Sequence, residues 1–258
     1  MTASPDNYRI GKGIVSFRKT GDAEYRDLGN VPELEWSPEI EELEHFSSRE
    51  GVRTRDKVVV LSKSATLRLV LEEWTFENLA LAFLGEIDGD EIDVFSNNAL
   101  TGALRYVGTN EVGPKFMLDC LNVSILPSGG GIGFISDEWG QLELNCEVGV
   151  DSTGSFGTLK LAPPLPANTE VPTISGTVQE GETLTATTGT WTGDPTFTYQ
   201  WQEDIAGVWT NITGATAATL EVPGGATVGR TLRVGVTGTN VVGSATAFSA
   251  ATVAVLAA

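Results

Sequence analysis

Apolar and polar residues alternate along much of the first 160 positions. Leu67, Leu69 and Leu71 interleave with Thr66, Arg68, Val70 and Glu72, and Leu142, Leu144, Cys146 and Val148 interleave with Gln141, Glu143, Asn145 and Glu147. A period of two with one apolar face predicts half-buried antiparallel strands. Lys115–Pro127 also alternates, first through Phe116, Leu118 and Cys120 and then, after a change of phase, through Leu121, Val123 and Ile125. That change predicts a bulge or bend. Phe76, Leu79, Ala80, Phe83 and Leu84 instead follow the spacing of an amphipathic helix. Thr75 reads as its N-cap, Trp74 and Leu79 as a hydrophobic staple, and Gly85 as the residue just past its end. The pattern predicts a mainly β protein whose first part is a β-sandwich or barrel carrying one packed α-helix.

Composition changes across LAPPLPANTEVP (Leu161–Pro172), where four of twelve residues are proline. Such a segment is a stiff, extended linker. The expected organisation is a first domain at 1–162, a linker at 163–170 and a second domain at 171–258. In the second, Phe197, Tyr199 and Trp201 alternate with Thr198, Gln200 and Gln202, and Leu232, Val234 and Val236 alternate with Arg233, Gly235 and Thr237. Short strands with turn residues every ten positions or so predict an Ig-like β-sandwich. No cysteine lies beyond Cys146, so Trp201 must fill that core without an inter-sheet disulfide.

Charge adds a second layer. The chain of 258 residues carries a formal net charge of −18, which excludes a basic nucleic-acid footprint. It does not exclude nucleic acid as something guided past an acidic wall, because carboxylates release no counterions from DNA. The acidic face of the strand at Gln141–Val148, made of Glu143, Asn145 and Glu147, is the candidate for such a wall. Glu33, Glu35, Glu39, Glu41, Glu42 and Glu44 come with no base among them, and Arg49, Arg53, Arg55 and Lys57 follow. Ser37–Lys57 therefore reads as a long polar loop, disordered in the free chain. Its acidic half (Glu39, Glu41, Glu42, Glu44, with His45) and its basic half (Arg49, Arg53, Arg55, Lys57) suit head-to-tail contacts between copies, which generate rings or filaments. Charge complementarity would set their register.

Nothing in the pattern reads as catalytic. The single histidine, His45, lies in the acidic segment, a poor place to hold a general base. Pro127–Phe134 is glycine-rich but lacks the ending of a phosphate loop. Ile87–Phe95 gathers Asp88, Asp90, Glu91 and Asp93 without the spacing of a calcium loop, so it reads as an exposed turn. Cys120 and Cys146 sit in apolar runs and read as buried thiols. No cofactor and no metal are expected. Neither a membrane-spanning run nor a signal sequence is evident, so synthesis in a cytoplasm, without membrane insertion, is expected. Trp209 is the aromatic residue best placed for a surface contact on the second domain.

VPTISGTVQEGETLTATTGTWTG, FTYQWQ, ITGATAATLEV and VGRTLRVGVTGTNVVGSATAFSA, with Gly181, Leu184, Trp191, Tyr199, Trp201, Gly214, Thr216, Leu232, Asn240 and Gly243, resemble a bacterial Ig-like repeat over Val171–Ala251. The stretch Tyr8–Lys160 resembles the major tail (tail tube) proteins of long-tailed bacteriophages through GKGIVSF, YRDLGNVPELEW, EHFSSREGVRTRD and the strand-then-helix unit VVVLSKSATLRLVLEEWTFENLALAFLGE. That resemblance implies homo-hexameric rings closed by an inner β-barrel, stacked through the Ser37–Lys57 loop into a hollow tube. It further implies double-stranded DNA passing through, tape-measure, terminator and initiator proteins as partners, assembly in the host cytoplasm, and a final place in the virion tail. The Ig-like domain would then hang outside and attach weakly to cell-surface glycans. The alternatives at this stage are a monomeric surface adhesin, or a terminator or decoration protein that stops at one ring.

Overall fold

Each alternating stretch of the first part folds as a strand. In the computed structural model, which describes residues 8, 10–47, 51, 53–126, 132–134 and 139–258, these are β1 (Gly13–Lys19), β2 (Arg26–Asp27), β3 (Glu33–Ser47) and β4 (Thr54–Leu71). After the helix α1 (Phe76–Ala82) come β5 (Glu86–Asp88), β6 (Glu91–Asp93), β7 (Leu100–Gly108), β8 (Phe116–Leu126), β9 (Leu142–Val148) and β10 (Thr158–Leu161). The main sheet runs β2-β1-β7-β8-β9-β4-β3, with β10 added to β8. Register places Leu67 beside Cys146, Leu69 beside Leu144 and Leu71 beside Leu142, so the apolar faces read from the sequence meet in one core with Val15, Phe17, Leu104 and Ile125.

The phase change in β8 is a bulge. Gly102 faces Val123 and Leu104 faces Cys120, so Leu121 and Asn122 together oppose Ala103. A bulge bends its strand, and β8 changes neighbour there. Its first half pairs with β10 and its second half with β9. Asn122 fastens the corner by donating to Val150 O at 2.8 Å and accepting from Gly149 N at 2.9 Å.

Helix α1 begins as expected, with Thr75 Oγ1 accepting from Asn78 N at 3.2 Å. Its end differs from the reading. The left-handed residue is Leu84 (φ 47°), not Gly85, and Gly85 N donates to Ala80 O at 2.8 Å while Leu84 N donates to Leu81 O at 3.3 Å. This is the doubly bonded helix stop in which glycine is usual one position earlier. Gly85 is small for another reason: a Cβ there would lie 2.4 Å from Ile92 Cγ2 and 2.9 Å from Asp93 O.

The largest correction concerns the loop expected at Ser37–Lys57. Of its described residues, Ser37–Ser47 and Thr54–Lys57 belong to β3 and β4, which pair from Glu33↔Val70 out to Ser47↔Thr54. Only Ala65–Leu71 of β4 also pairs with β9. Beyond that point the hairpin continues as a two-stranded ribbon, so backbone hydrogen bonding between strands overrides the charge that predicted disorder.

The chain divides into two compact units, Met1–Leu161 and Ala162–Ala258. The expected linker at 163–170 needs the same kind of correction. Ala167–Glu170 is strand β11, paired with β14 (Thr190–Thr192) inside the second unit. The remaining strands there are β12 (Ile174–Ser175), β13 (Thr183–Ala186), β15 (Thr196–Ile205), β16 (Val208–Asn211), β17 (Thr219–Glu221), β18 (Leu232–Asn240) and β19 (Gly243–Phe248). A four-stranded sheet β16-β15-β18-β19 and a three-stranded sheet β12-β13-β17 enclose Leu184, Leu220, Trp201, Leu232 and Val234. This is an Ig-like sandwich. Trp201 is fully buried, and its indole N–H reaches Ala217 O at 2.9 Å, which satisfies the one polar atom that a buried tryptophan brings.

Candidate functional site

The ribbon carries most of the charged residues singled out above. Along β3, odd-numbered residues point to one side and even-numbered residues to the other. Register then puts Glu39 with Ser64, Glu41 with Ser62, Leu43 with Val59 and His45 with Lys57 on one face. The other face holds Ile40 with Lys63, Glu42 with Val60, Glu44 with Val58 and Phe46 with Arg55. Register shifts fall between Glu41 and Glu42 and between His45 and Phe46, leaving Leu61 and Asp56 as extra residues in β4. Strand alternation divides the apolar run Val58–Leu61 between both faces.

Part of the acidic and basic halves meets within one chain. Arg55 contacts Glu44 at 2.5 Å, which holds its pKa above the ordinary arginine value through a hydrogen bond and then through charge. His45 Nδ1 lies 2.6 Å from Asp56 Oδ1, and Arg53 stacks over the Phe46 ring at 5.4 Å. Glu41 accepts from Ser62 at 3.0 Å. Among the described residues Glu39 and Lys57 have no ion-pair partner. Arg49 lies outside the described residues.

What the charge pattern hid is apolar exposure. Ile40 (57%), Leu43 (59%), Phe46, Val58, Val59, Val60 and Leu61 (55%) all stand in solvent on the ribbon. A second apolar surface lies in the same unit: an open cavity of about 780 Å³ between β3 and β10, lined by Val15, Leu34, Trp36, Leu118, Phe156 and Leu159. The sequence signal for the ribbon was VVVL at 58–61, an apolar run with no alternation. The cavity left no local signal, because its walls come from distant strands.

Glu143, Asn145 and Glu147 lie on the sheet face opposite the core. Register continues that face into a row Thr101, Ser124, Glu147, Thr66 and Ser37 across five strands. Along β3 it continues to Glu39, Glu41 and His45, so these two groups of candidates share one side. Glu42, Glu44 and Arg55 do not. Cations interrupt the acidic face: Lys57 stands opposite His45 and Arg68 opposite Asn145. Arg68 binds Glu143 at 2.9 Å and Glu33 at 2.7 Å, and its pKa is raised by these hydrogen bonds, that of Glu143 first. Charge-assisted contacts of this kind fix β3, β4 and β9 in register.

On the second unit, Trp209 is half-buried beneath Arg233, whose guanidinium carbon is 4.3 Å from the indole centroid. Among the described residues no cluster of three or more histidine, cysteine, aspartate or glutamate side chains is placed to hold a metal, and no helix is long and apolar enough to cross a membrane.

A family described as protein of unknown function UCP028589 matches residues 8–91, the stretch that contains the ribbon and α1. A crystal structure of domains from titin is similar at 11% identity and a TM-score of 0.26, covering 96% of this chain and 95% of that one. No curated protein matches the chain.

Proposed function

We propose that residues 1–162 are a structural subunit that assembles into six-membered rings, and that the rings stack into the hollow tail tube of a long-tailed bacteriophage. Double-stranded DNA is the cargo and passes without specific binding. One observation carries the reading: the outer parts of β3 and β4 leave the sheet as a ribbon with apolar residues exposed on both faces. A two-stranded ribbon is marginal in water by itself, and apolar surface of this extent marks a protein interface. Further copies of the chain provide the cover. The cavity between β3 and β10 supports the same reading, since joining two different apolar surfaces of one subunit gives a heterologous contact that closes into rings or extends into stacks. The face carrying Glu39, Glu41, Glu143 and Glu147 supplies an acidic wall along which DNA slides. The Ig-like unit is an attachment module that holds cell-surface glycans weakly. Tape-measure, terminator and initiator proteins are the other tail partners, with assembly in the host cytoplasm and residence in the virion.

Electron microscopy of the concentrated full-length chain tests this, beside the double variant Leu43→Lys with Val59→Glu. These two residues face each other on one ribbon face, and the substitution keeps an attractive cross-strand pair while removing apolar cover. Hollow tubes or six-fold rings from the unsubstituted chain, absent from the variant, are expected. Assembly that the variant retains would overturn the role of the ribbon. Single closed rings would move the assignment to a terminator or decoration protein. Persistent monomers, indifferent to the substitution, would move it to an adhesin.

A further inference from the structure

The outer face of β16-β15-β18-β19 is polar and ordered by side chains. Register aligns Asn211, Gln202 and Arg233 in one row, and Gln200, Gly235 and Phe248 in the next. Arg233 lies over two rings at once, 4.3 Å from the Trp209 centroid and 4.1 Å from that of Phe248. Its Nε donates to Gln202 Oε1 at 2.7 Å, and Gln202 Nε2 donates in turn to Asn211 Oδ1 at 2.8 Å. Gly235 makes room for this arrangement, since a Cβ there would come within 2.9 Å of the Phe248 ring. A guanidinium has five N–H donors, and among the described residues only the one on Nε has a hydrogen-bond partner.

The charge setting is unusual. Residues 163–258 hold two bases against seven acids. Arg230 is paired with Glu203 at 2.8 Å, and Arg233 has no carboxylate partner among the described residues. The carboxylate diagonal to it by register, Asp204, accepts from Gly207 N at 2.6 Å. Contact with the rings desolvates Arg233 and lowers its pKa, a cost that an incoming anion relieves.

We infer that this sheet face binds a carboxylate-bearing sugar, with Arg233 holding the carboxylate. The planar fork matches a carboxylate, and stacking fixes its plane in advance. Phe248 keeps 42% of its surface exposed beside it, an apolar platform for the C–H face of a sugar ring. Asn211 retains its amide N–H₂ group, and Thr198, Thr237 and Thr246 extend the same face with hydroxyls. An apolar platform with a few fixed polar groups is the usual make-up of a small-ligand site. A clamp that only stiffened the sheet would account for the stacking but not for the unused end of the fork. The inference deepens the attachment role of this unit and rests on that role for the ligand being a glycan.

The test is ligand-observed saturation-transfer NMR on the full-length chain. One probe is an oligosaccharide ending in N-acetylneuraminic acid, and the other is the same oligosaccharide without that sugar. Binding of the acidic probe at roughly millimolar Kd is expected of one exposed charge pair plus a ring contact. Arg233→Gln should weaken it about tenfold, and Arg233→Lys, which lacks the fork, should also weaken it. The methyl ester of the sugar acid, tested on the unsubstituted chain, should lose the same affinity without any change to the protein. Equal binding of the acidic, esterified and neutral probes would overturn the carboxylate assignment and leave glycan attachment standing. Binding of none of them would overturn both. Ring and tube assembly is read separately by microscopy.

Discussion

Asn78 is fully buried in the first turn of α1, and three segments converge on its side chain. It accepts from Arg26 at 2.9 Å and donates to Leu28 O and Glu73 O, each at 2.9 Å. Arg26 is itself partly buried, and desolvation lowers its pKa. Asn78→Ala takes the side-chain donor from Leu28 O and Glu73 O and leaves Arg26 only its contact to Asp27 O at 3.3 Å, and each buried group left unpaired costs roughly 1–3 kcal/mol. Denaturant melts of the first unit should therefore shift by at least that much, with the Ig-like unit unchanged. Cys120 and Cys146 act through the same physics of burial. Desolvation pushes each thiol up from 9.0 to about 12, and charge from Asp119 and from the other thiol adds to it. A raised folded pKa means that this contribution to stability is fully present below pH 9.0 and is lost as pH rises towards 12, because the unfolded chain releases the protons first. Thiol reagents at pH 8 should label the native chain only as fast as it opens, and alkaline melts should fall steadily over that window.

At the level of the element, the ribbon divides β4 into two regimes. Ala65–Leu71 is bonded on both sides and buried, whereas Thr54–Ser64 is bonded only to β3 and exposed. Amide exchange in the unassembled chain should protect the first stretch close to the global limit and leave the second near that of a free hairpin. Strong protection of Thr54–Ser64 only after assembly is the expected signature of cover by other copies. The same division explains what could be read from the sequence. Leu67, Leu69 and Leu71 carry a period-two signal because one face meets a core, and the phase change after Cys120 revealed its bulge. The ribbon meets no core within the chain, and its extra residues Asp56 and Leu61 break the alternation, so only its charge was conspicuous. Helix α1 was legible in its start but not in its stop, and in its face only in part: Ala80 and Leu84 are buried as expected, whereas Phe76 is exposed and Asn78 and Leu81 are buried. At the stop the left-handed position is taken by Leu84, and the glycine one step later answers to packing against β6.

For the whole molecule, the candidate site is spread over elements far apart in sequence. Glu143 and Glu147 read as polar strand residues, but only register reveals that they share a side with Glu39 and Glu41 and that Arg68 stands among them. Reversing Glu147, which lies on β9 away from the ribbon, to lysine should leave assembly intact and convert free passage of DNA into salt-sensitive retention. Filter binding across a salt series would measure this, with affinity falling as salt rises. Deleting the second unit, 162–258, should preserve tubes and abolish glycan attachment, since each unit has its own core. Shorter tubes or none would show that the Ig-like unit also serves assembly.

Strand β3 ends the sheet, and its outer backbone edge runs from Glu33 to Ser47. An open edge of that length is a template on which another polypeptide can crystallise into fibrils, and the apolar residues around it make the hazard worse. The six glutamates along the same strand act as gatekeepers, because two such edges approaching each other bring like charges face to face. That repulsion works against edge-to-edge pairing of concentrated chains. Replacing those glutamates with glutamine should turn a clear solution turbid well before either core melts.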